Sequence, residues 1–326
     1  MNAVFRQYLK EMRNELGLTQ SEAVELLNTQ GGDLKSIDCV TFSRWERGIT
    51  QPTLSRRVKV LRVFRYDLLD YLLQEAEAQT SEKKYQSRVN HFSLSIKKRY
   101  QGATTIVSSV NYNNINTNLG DVKEISVNSS NRHYFLDIFH NYHIQTRFSD
   151  EPLNIREIDI SDYVKKSRAI VSMYALGDDI VGHNICFIFR VDTLSSEIQR
   201  INNCNLSINS IELQQSIPLS KNGNYSYLSI SHHAMTEETF FKQLKSEFTY
   251  LIKNTNIHNY YCQVSVECFV DVMLKMGFNI VAWEGESDIG AISVGSKKYM
   301  TAIMHIETCE LFSQPEFFYI INHPLY

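Results

Sequence analysis

Five histidines are the residues of this chain whose type and spacing most directly suggest chemistry. His133, His140 and His143 are seven and three positions apart, which places them near one face of a helix. His232 and His233 are adjacent. Imidazoles bind metal ions or act as general bases. No Asp, Glu or Cys partners recur at ligand spacing, so surface or partly buried imidazoles are the favoured interpretation, and neither a metal site nor a catalytic residue is predicted.

A second candidate site lies just before the paired histidines. Tyr227, Ser229 and Ser231 alternate along a segment that is typical of a β-strand, and alternation places all three on one face. Their hydroxyls could hydrogen-bond the polar head of a small-molecule or acyl ligand, while neighbouring aromatic residues cover an apolar tail. A cleft filled entirely as protein core is the alternative.

A third group of residues could read DNA. Asp38 is a good N-cap for a short helix that Gly48 ends, and Phe42 and Trp45, three apart, would anchor that helix to a bundle. The opposite face could then reach base edges in a major groove. Arginine can pair with guanine, threonine with several bases, and valine can touch a thymine methyl group. The side chains on that face are Val40, Thr41 and Arg44.

The residues of this segment also resemble a known family. Leu18-Thr19-Gln20, the run Phe-Ser-Arg-Trp-Glu-Arg-Gly at 42–48, and Pro52 are similar to the lambda-repressor/Cro-like (XRE) helix-turn-helix over residues 4–66. The resemblance implies that Gln20 and Arg47 hold phosphates and that Ser43 joins Arg44 at the DNA. It implies a double-stranded DNA operator as the partner and a homodimer as the binding unit. Glu46 is interpreted as structural, tying helices of the bundle together.

The second half of the chain predicts a mixed α/β domain, because helical periodicity and strand alternation follow one another there. This order of elements, with Met276-Gly277-Phe278 as a turn before a strand, is similar to the GNAT acyltransferase fold over residues 132–310. The predicted helices are 132–143, 236–253 and 267–276, and the predicted strands are 169–175, 181–191, 225–231, 260–266, 279–283 and 299–306.

One departure from that fold bears on its donor. GNAT enzymes hold the pyrophosphate of acetyl-CoA with a glycine-containing loop at a helix N-terminus. Residues 231–238 of this chain contain no glycine, and Glu237 and Glu238 would repel a phosphate there. The sequence therefore predicts no cofactor and no transfer from acetyl-CoA. An acyl carrier protein, an acyl-chain ligand, or a fold kept only for dimerisation stay open.

Composition and charge set the domain organisation. The chain has 326 residues, of which 43% are hydrophobic and 21% charged, and no apolar run is long enough for a membrane helix. Residues 1–100 hold 17 Lys and Arg against 12 Asp and Glu, and the remainder 16 against 24, so only the front suits a polyanion. Six scattered cysteines without a C-x-x-C pair and a charged N-terminus predict a cytoplasmic protein.

Together these patterns predict an α + α/β protein, in which an N-terminal helical bundle is followed by a mixed α/β GNAT-like sheet domain. The predicted domains are 1–78 (helix-turn-helix), 79–131 (polar linker or mobile segment) and 132–326 (ligand sensing or dimerisation). The predicted function is a sequence-specific DNA-binding transcriptional regulator without enzymatic activity. The alternative is a divergent acyltransferase that carries a DNA-binding domain.

Overall fold

A computed structural model describes residues 4–64, 68–79, 83–103, 121–146, 158–220 and 223–323. These residues contain an eight-stranded sheet and 13 α-helices, in agreement with the mixed α/β class that the sequence predicts. They form two compact units. Of the predicted linker, 79–131, residues 80–82 and 104–120 lie outside the described residues.

The helical unit comprises residues 1–90, 246–255 and 308–323. The spacing of Phe5, Leu9, Met12 and Leu16 predicts one buried face of a first helix. The first helix buries Phe5, Leu9 and Met12, whereas Leu16 follows the end of the helix and is exposed. The segment Thr19-Gln20-Ser21-Glu22 predicts a capping box. This is confirmed, because Thr19 and Glu22 bond each other's backbone amides at the start of the second helix. The helices at the front of this unit are α1 (Val4–Glu15), α2 (Gln20–Thr29), α3 (Cys39–Glu46), α4 (Leu54–Val63) and α5 (Leu68–Gln79).

The end of the chain completes this unit. Two helices, α12 (Thr308–Leu311) and α13 (Pro315–Asn322), pack on α4 and α5 respectively. Arg62 donates to the Thr308 hydroxyl over 2.5 Å. Arg88 donates to Glu316 over 2.7 Å. The compact units are therefore not contiguous in sequence, whereas the predicted domains are, and the predicted boundaries stay predictions.

A long helix, α6 (Lys83–Ala103), occupies the front of the predicted polar linker. It buries Tyr85, Phe92 and Ile96, whose spacings of seven and four place them on one helical face. The segment between and around these three side chains is mostly polar, which is why composition alone did not reveal the helix.

The second unit is built on one sheet with the strand order β1-β2-β3-β4-β5-β8-β6, and β7 pairs with β8. Alternation on both sides of the turn Gly177-Asp178-Asp179 predicts a hairpin. It is confirmed as β2 and β3, and the other predicted strands are also present. β4 and β5 form the one parallel pair among the described strands. The strand bounds are β1 (Lys123–Ser126), β2 (Ala169–Leu176), β3 (Asp179–Arg190), β4 (Tyr225–Ala234), β5 (Ile257–Val264), β6 (Asn279–Glu286), β7 (Ile292–Val294) and β8 (Lys297–Glu307).

Helices cover this sheet and complete its core. Phe187, Phe189 and Leu228 of the sheet pack in one buried cluster with Leu194 and Ile198 of the helix that follows β3. None of the described helices combines the length and the apolar character needed to cross a membrane. The cytoplasmic location stays a prediction. The remaining helices are α7 (Arg132–Thr146), α8 (Ile160–Lys165), α9 (Val191–Cys204), α10 (Glu237–Lys253) and α11 (Glu267–Lys275).

Candidate functional site at the parting of two parallel strands

The candidate site lies where β4 and β5 part. The two strands pair from Tyr225 to Ser229, and β4 then continues through residues 230–234 while pairing only with β3. On the other side, β5 continues to Val264 while pairing only with β8. Ligands in open α/β sheets bind at the carboxyl ends of parallel strands. Both open edges lie at such ends, so this parting can receive an extended ligand through backbone hydrogen bonds.

A β-bulge at Ile230 changes which way the β4 side chains face. Ser229 is opposite Cys186 of β3, but Ser231 is opposite Ile185, so β4 has one extra residue between these two pairs. The Ser229 hydroxyl accordingly lies 3.7 Å from the Cys186 sulfur on one face of the sheet. Ser231 points to the other face, where its hydroxyl meets His183.

The predicted ligand face of Tyr227, Ser229 and Ser231 is thus divided by the bulge. Tyr227 and Ser229 are 1% and 2% exposed, and Tyr227 stacks on Tyr260 with ring centroids 5.7 Å apart. Strict alternation fails because the extra residue shifts the pleat by one position. A ligand-binding role for the three residues stays a prediction, but the structure does not place them on one face.

Ser231 and two histidines form a polar cluster beside the parting. The Ser231 oxygen lies 2.9 Å from Nε2 of His183. His183 is fully buried on β3, Phe139 of α7 packs edge-on against its ring at 5.4 Å, and His233 lies 5.9 Å away between ring centroids. A hydroxyl bonded to an imidazole is the basic unit of nucleophilic and general-base catalysis.

Sequence reasoning did not select His183. A signal for it was present, because His183 and Asn184 interrupt an otherwise apolar strand of β-branched and aromatic residues. Both side chains are buried, and Asn184 accepts the backbone N–H of Ser172 across the sheet. Buried polar residues in a central strand are informative because each one must find a partner.

His232 lies on the opposite face from His183. Its ring packs edge-on against Phe240 of α10 at 5.9 Å, and its Nε2 has no hydrogen-bond partner among the described residues. Burial lowers the pKa of His232 to about 4, so the imidazole is neutral near pH 7. The paired histidines of the sequence therefore belong to two separate environments.

The other histidine group does not form a metal site in the described structure. His133 is exposed and His140 half-buried on α7, and the side chain of His143 lies outside the described residues. Over the described ranges, no group of three or more His, Cys, Asp or Glu residues is arranged to hold a metal ion.

The junction between β4 and α10 is occupied by protein contacts. Thr236 caps α10 by accepting the backbone N–H of Thr239 at 3.1 Å. Glu238 accepts the backbone N–H of Val122 over 3.4 Å, and Lys242 donates to the Val122 carbonyl. Two acidic residues in the first turn and the absence of glycine leave no phosphate cradle at this helix start.

The structure also places the residues predicted to contact DNA. On α3, Val40, Arg44 and the C-cap residue Arg47 are exposed, while Thr41 and Ser43 are half-buried. Phe42 and Trp45 of the same helix are buried as predicted. Gln20 is half-buried and donates to Glu46.

Glu46 has the structural role predicted for it. Its carboxylate also accepts a 2.6 Å bond from Arg13 and thereby joins α1, α2 and α3. The Gln20 side chain, to which the resemblance gave a phosphate contact, therefore already has a structural role within the bundle.

The known proteins with structures similar to this chain include acetyl- and acyltransferases. No protein-family model matches the chain. No curated protein sequence matches it either. Solved structures similar to it include a spermidine N-acetyltransferase from Vibrio cholerae in complex with CoA and spermine (12% identity, 59% of this chain and 98% of that chain, TM-score 0.34). Others are FeeM, an N-acyl amino acid synthase from uncultured soil microbes (12%, 59% and 95%, TM-score 0.36), and an N-acetyltransferase from Staphylococcus aureus (8%, 58% and 99%, TM-score 0.32).

The predicted transcriptional regulator is contradicted, because these similar structures are acetyl- or acyltransferases. The likeness covers the C-terminal part of the chain and concerns its fold alone, so it assigns no activity, substrate or residue to this chain. The DNA operator, the XRE family and the absence of enzymatic activity are accordingly not retained, and the homodimer expected for an operator loses its premise. The sequence misled because capped helices with aromatic anchors stabilise any small helical bundle, whether or not it binds DNA.

Proposed function

We propose that this chain is an acyltransferase that moves an acyl group from a thioester donor to an amine or hydroxyl acceptor at the parting of β4 and β5. The observation that carries the proposal is the open edge of β4 at residues 230–234, which lies beside the Ser231–His183 pair. An acyl thioester on an arm with amide groups can add to such an edge as a short strand would.

The donor is recognised through that arm and its acyl group rather than through a nucleotide pyrophosphate at the start of α10. Glu237 and Glu238 stand in the first turn of α10, where a phosphate would be repelled. An acyl group on a carrier protein satisfies this requirement, and so does a CoA thioester whose nucleotide is bound elsewhere. That acetyl-CoA itself is not used stays a prediction.

The test is a matrix of thioesters and acceptors. Acetyl, octanoyl and palmitoyl groups are offered on pantetheine, on CoA and on an acyl carrier protein, together with amino acids or polyamines. Thiol release is followed by absorbance and products by mass spectrometry. We expect thiol release that depends on the acceptor for at least one donor. If every combination shows only background hydrolysis, the proposal is wrong.

A variant at the opposite lip ties the activity to the parting. By strand alternation, Gln263 of β5 faces the same side as Tyr261, which packs in the core on the His183 side of the sheet. Gln263→Trp is expected to fill the opening and raise KM for the donor by about tenfold or more. Gln263→Asn is the matched control at the same position and should keep the wild-type KM. Equal donor KM values for the two variants would place the donor elsewhere.

A further inference from the structure

We propose that Ser231 is a covalent nucleophile, so that the acyl group passes through a serine ester before it reaches the acceptor. This inference rests on the proposed acyltransferase function and adds a step to it. Direct transfer from thioester to acceptor needs no nucleophile from the protein, so the two routes differ in a species that can be isolated.

The geometry at Ser231 is that of an activated hydroxyl. Its oxygen is 2.9 Å from Nε2 of His183, within the range of a nucleophile and its base. Ser231 is half-buried, whereas His183 is fully buried. A half-exposed hydroxyl backed by a buried imidazole can meet a ligand while its base stays shielded from water.

The surrounding contacts fix the imidazole. Phe139 packs edge-on against the His183 ring. His233, which is opposite His183 in the pairing of β3 and β4, lies 5.9 Å from it between ring centroids. Gln243 of α10 donates to the backbone carbonyls of both His183 and His233, over 3.2 and 2.7 Å, and so locks β3 against β4 at this point. A fixed base is what nucleophile activation requires, because the hydroxyl proton must be taken along one direction.

The bulge at Ile230 is the element that makes the pair possible. Without the extra residue, Ser231 would be opposite Asn184 and would point to the same face as Ser229, away from His183. Bulges are common next to active sites because they re-aim a single side chain. Here the re-aimed side chain is the Ser231 hydroxyl, two residues beyond Ser229, the last residue of β4 that pairs with β5.

Other nucleophilic groups of this region are less suitable. The Ser229 hydroxyl is 2% exposed and lies against the Cys186 sulfur. Burial raises the pKa of the Cys268 thiol, which disfavours the reactive thiolate.

Acyl transfer through Ser231 takes two steps, and His183 moves the proton in both. With His183 in the tautomer protonated on Nδ1, Nε2 takes the proton of the Ser231 hydroxyl while the oxygen attacks the thioester carbonyl. The carbon–sulfur bond breaks, and the thiolate leaves as a thiol with the proton from Nε2. The acceptor amine or hydroxyl then attacks the serine ester and gives its proton to Nε2. The carbon–oxygen bond to Ser231 breaks, and the Ser231 oxygen recovers the proton from His183.

The experiment looks for the ester directly. The full-length protein is mixed with the most active thioester in the absence of acceptor, quenched in acid, and analysed by intact mass and by peptide mapping. We expect a burst of about one thiol per chain and an acyl adduct on the peptide that contains Ser231. Addition of acceptor should remove the adduct and form product, and initial-rate plots should be parallel.

Variants separate the chemical role from a structural one. Ser231→Ala should lose the adduct and at least about 100-fold in kcat. Ser231→Thr retains a hydroxyl and should retain a slow adduct. His183→Gln should form the adduct more slowly at neutral pH. Circular dichroism melting shows which variants are folded. If Ser231→Ala is not folded, Ser231→Thr is used in its place.

The outcomes also distinguish this inference from the proposed function. Turnover with intersecting plots, no adduct, and a Ser231→Ala rate near wild type would overturn the covalent step and leave acyl transfer intact. Absence of acceptor-dependent thiol release with every thioester would overturn both.

Discussion

Gly182 on β3 is the position at which one added methyl group should disturb the candidate site most. A Cβ atom there would lie 2.6 Å from the His233 carbonyl oxygen, 2.7 Å from Nε2 of Gln243 and 2.8 Å from Cγ2 of Thr239. All three distances are below van der Waals contact, and Thr239 and Gln243 are both fully buried. Gly182→Ala must therefore move α10 away from the sheet or separate β3 from β4.

The size of the effect follows from two contributions. Forcing a methyl group into a packed site costs about 1–3 kcal/mol. The displaced Gln243 amide also loses its bonds to the carbonyls of His183 and His233, each with a net value of about 1 kcal/mol. Because relaxation relieves part of the clash, we expect Gly182→Ala to lower the free energy of unfolding of the sheet unit by about 2–4 kcal/mol.

The assay uses the two tryptophans of the chain, which lie one in each compact unit. Trp45→Phe leaves Trp283 of β6 as the fluorescent reporter of the sheet unit. Urea unfolding of this background is then compared with and without Gly182→Ala.

Gln243→Ala supplies the double-mutant cycle for this effect. It should be destabilising alone but should cost less when Gly182→Ala is already present, because the two changes remove the same contacts. If the midpoint for Gly182→Ala agrees with that of its background, the packing argument is refuted. Purely additive effects would show that Gln243 is not the obstructing group.

Three further perturbations test other parts of the structure. Burial lowers the pKa of His232 from 6.5 to about 4, so between these pH values the unfolded chain binds a proton that the folded chain does not. The free energy of unfolding should therefore fall by up to about 3 kcal/mol from pH 7 to pH 4. In urea titrations at several pH values, His232→Gln should remove that part of the loss. Glu75→Gln removes the partner of Arg57 in a buried 2.7 Å pair and should destabilise the helical unit by about 3–5 kcal/mol. This is measured by urea unfolding in a Trp283→Phe background, where Trp45 reports the helical unit, and combining the change with Arg57→Met should recover much of the loss. Deletion of residues 308–326 removes α12 and α13 and should lower the thermal midpoint of the helical unit, whereas deletion of 324–326 alone should not.

The helices and strands that could be predicted from the sequence are those set by interactions between residues close together in the chain. Periodicity and capping signals fixed α1 to α3, since Thr19, Glu22 and Asp38 cap by bonds to residues three positions away. The β2–β3 hairpin followed from alternation around one turn. Such interactions act over a few residues, so a single sequence displays them. The helix at Lys83–Ala103 was not found, because three buried side chains among the described side chains of residues 83–100 give a weak signal within a polar segment.

The site could be located only in part for a different reason. The segment around Tyr227–Ser231 was selected from its hydroxyl residues, and it does contain Ser231. Pairing Ser231 with His183 needs the register of two strands that are 48 residues apart and the bulge that shifts it. No local pattern encodes either, because a bulge is decided by how both strands pack.

The interleaving of the two units has a consequence for how the site can be studied. Residues 308–323 follow directly on β8 of the sheet unit, yet their contacts are with α4, α5 and α6 of the helical unit through groups such as Thr308 and Glu316. A fragment that begins at residue 132 would therefore carry α12 and α13 without α4 and α5, the helices on which they pack, and would expose apolar surface that those contacts cover. Aggregation of that fragment would then report the loss of these partners rather than a property of the sheet unit. Measurements of acyl transfer and of the serine ester accordingly belong on the full chain, with the single substitutions at Ser231, His183 and Gln263 as the means of separating the site from its support.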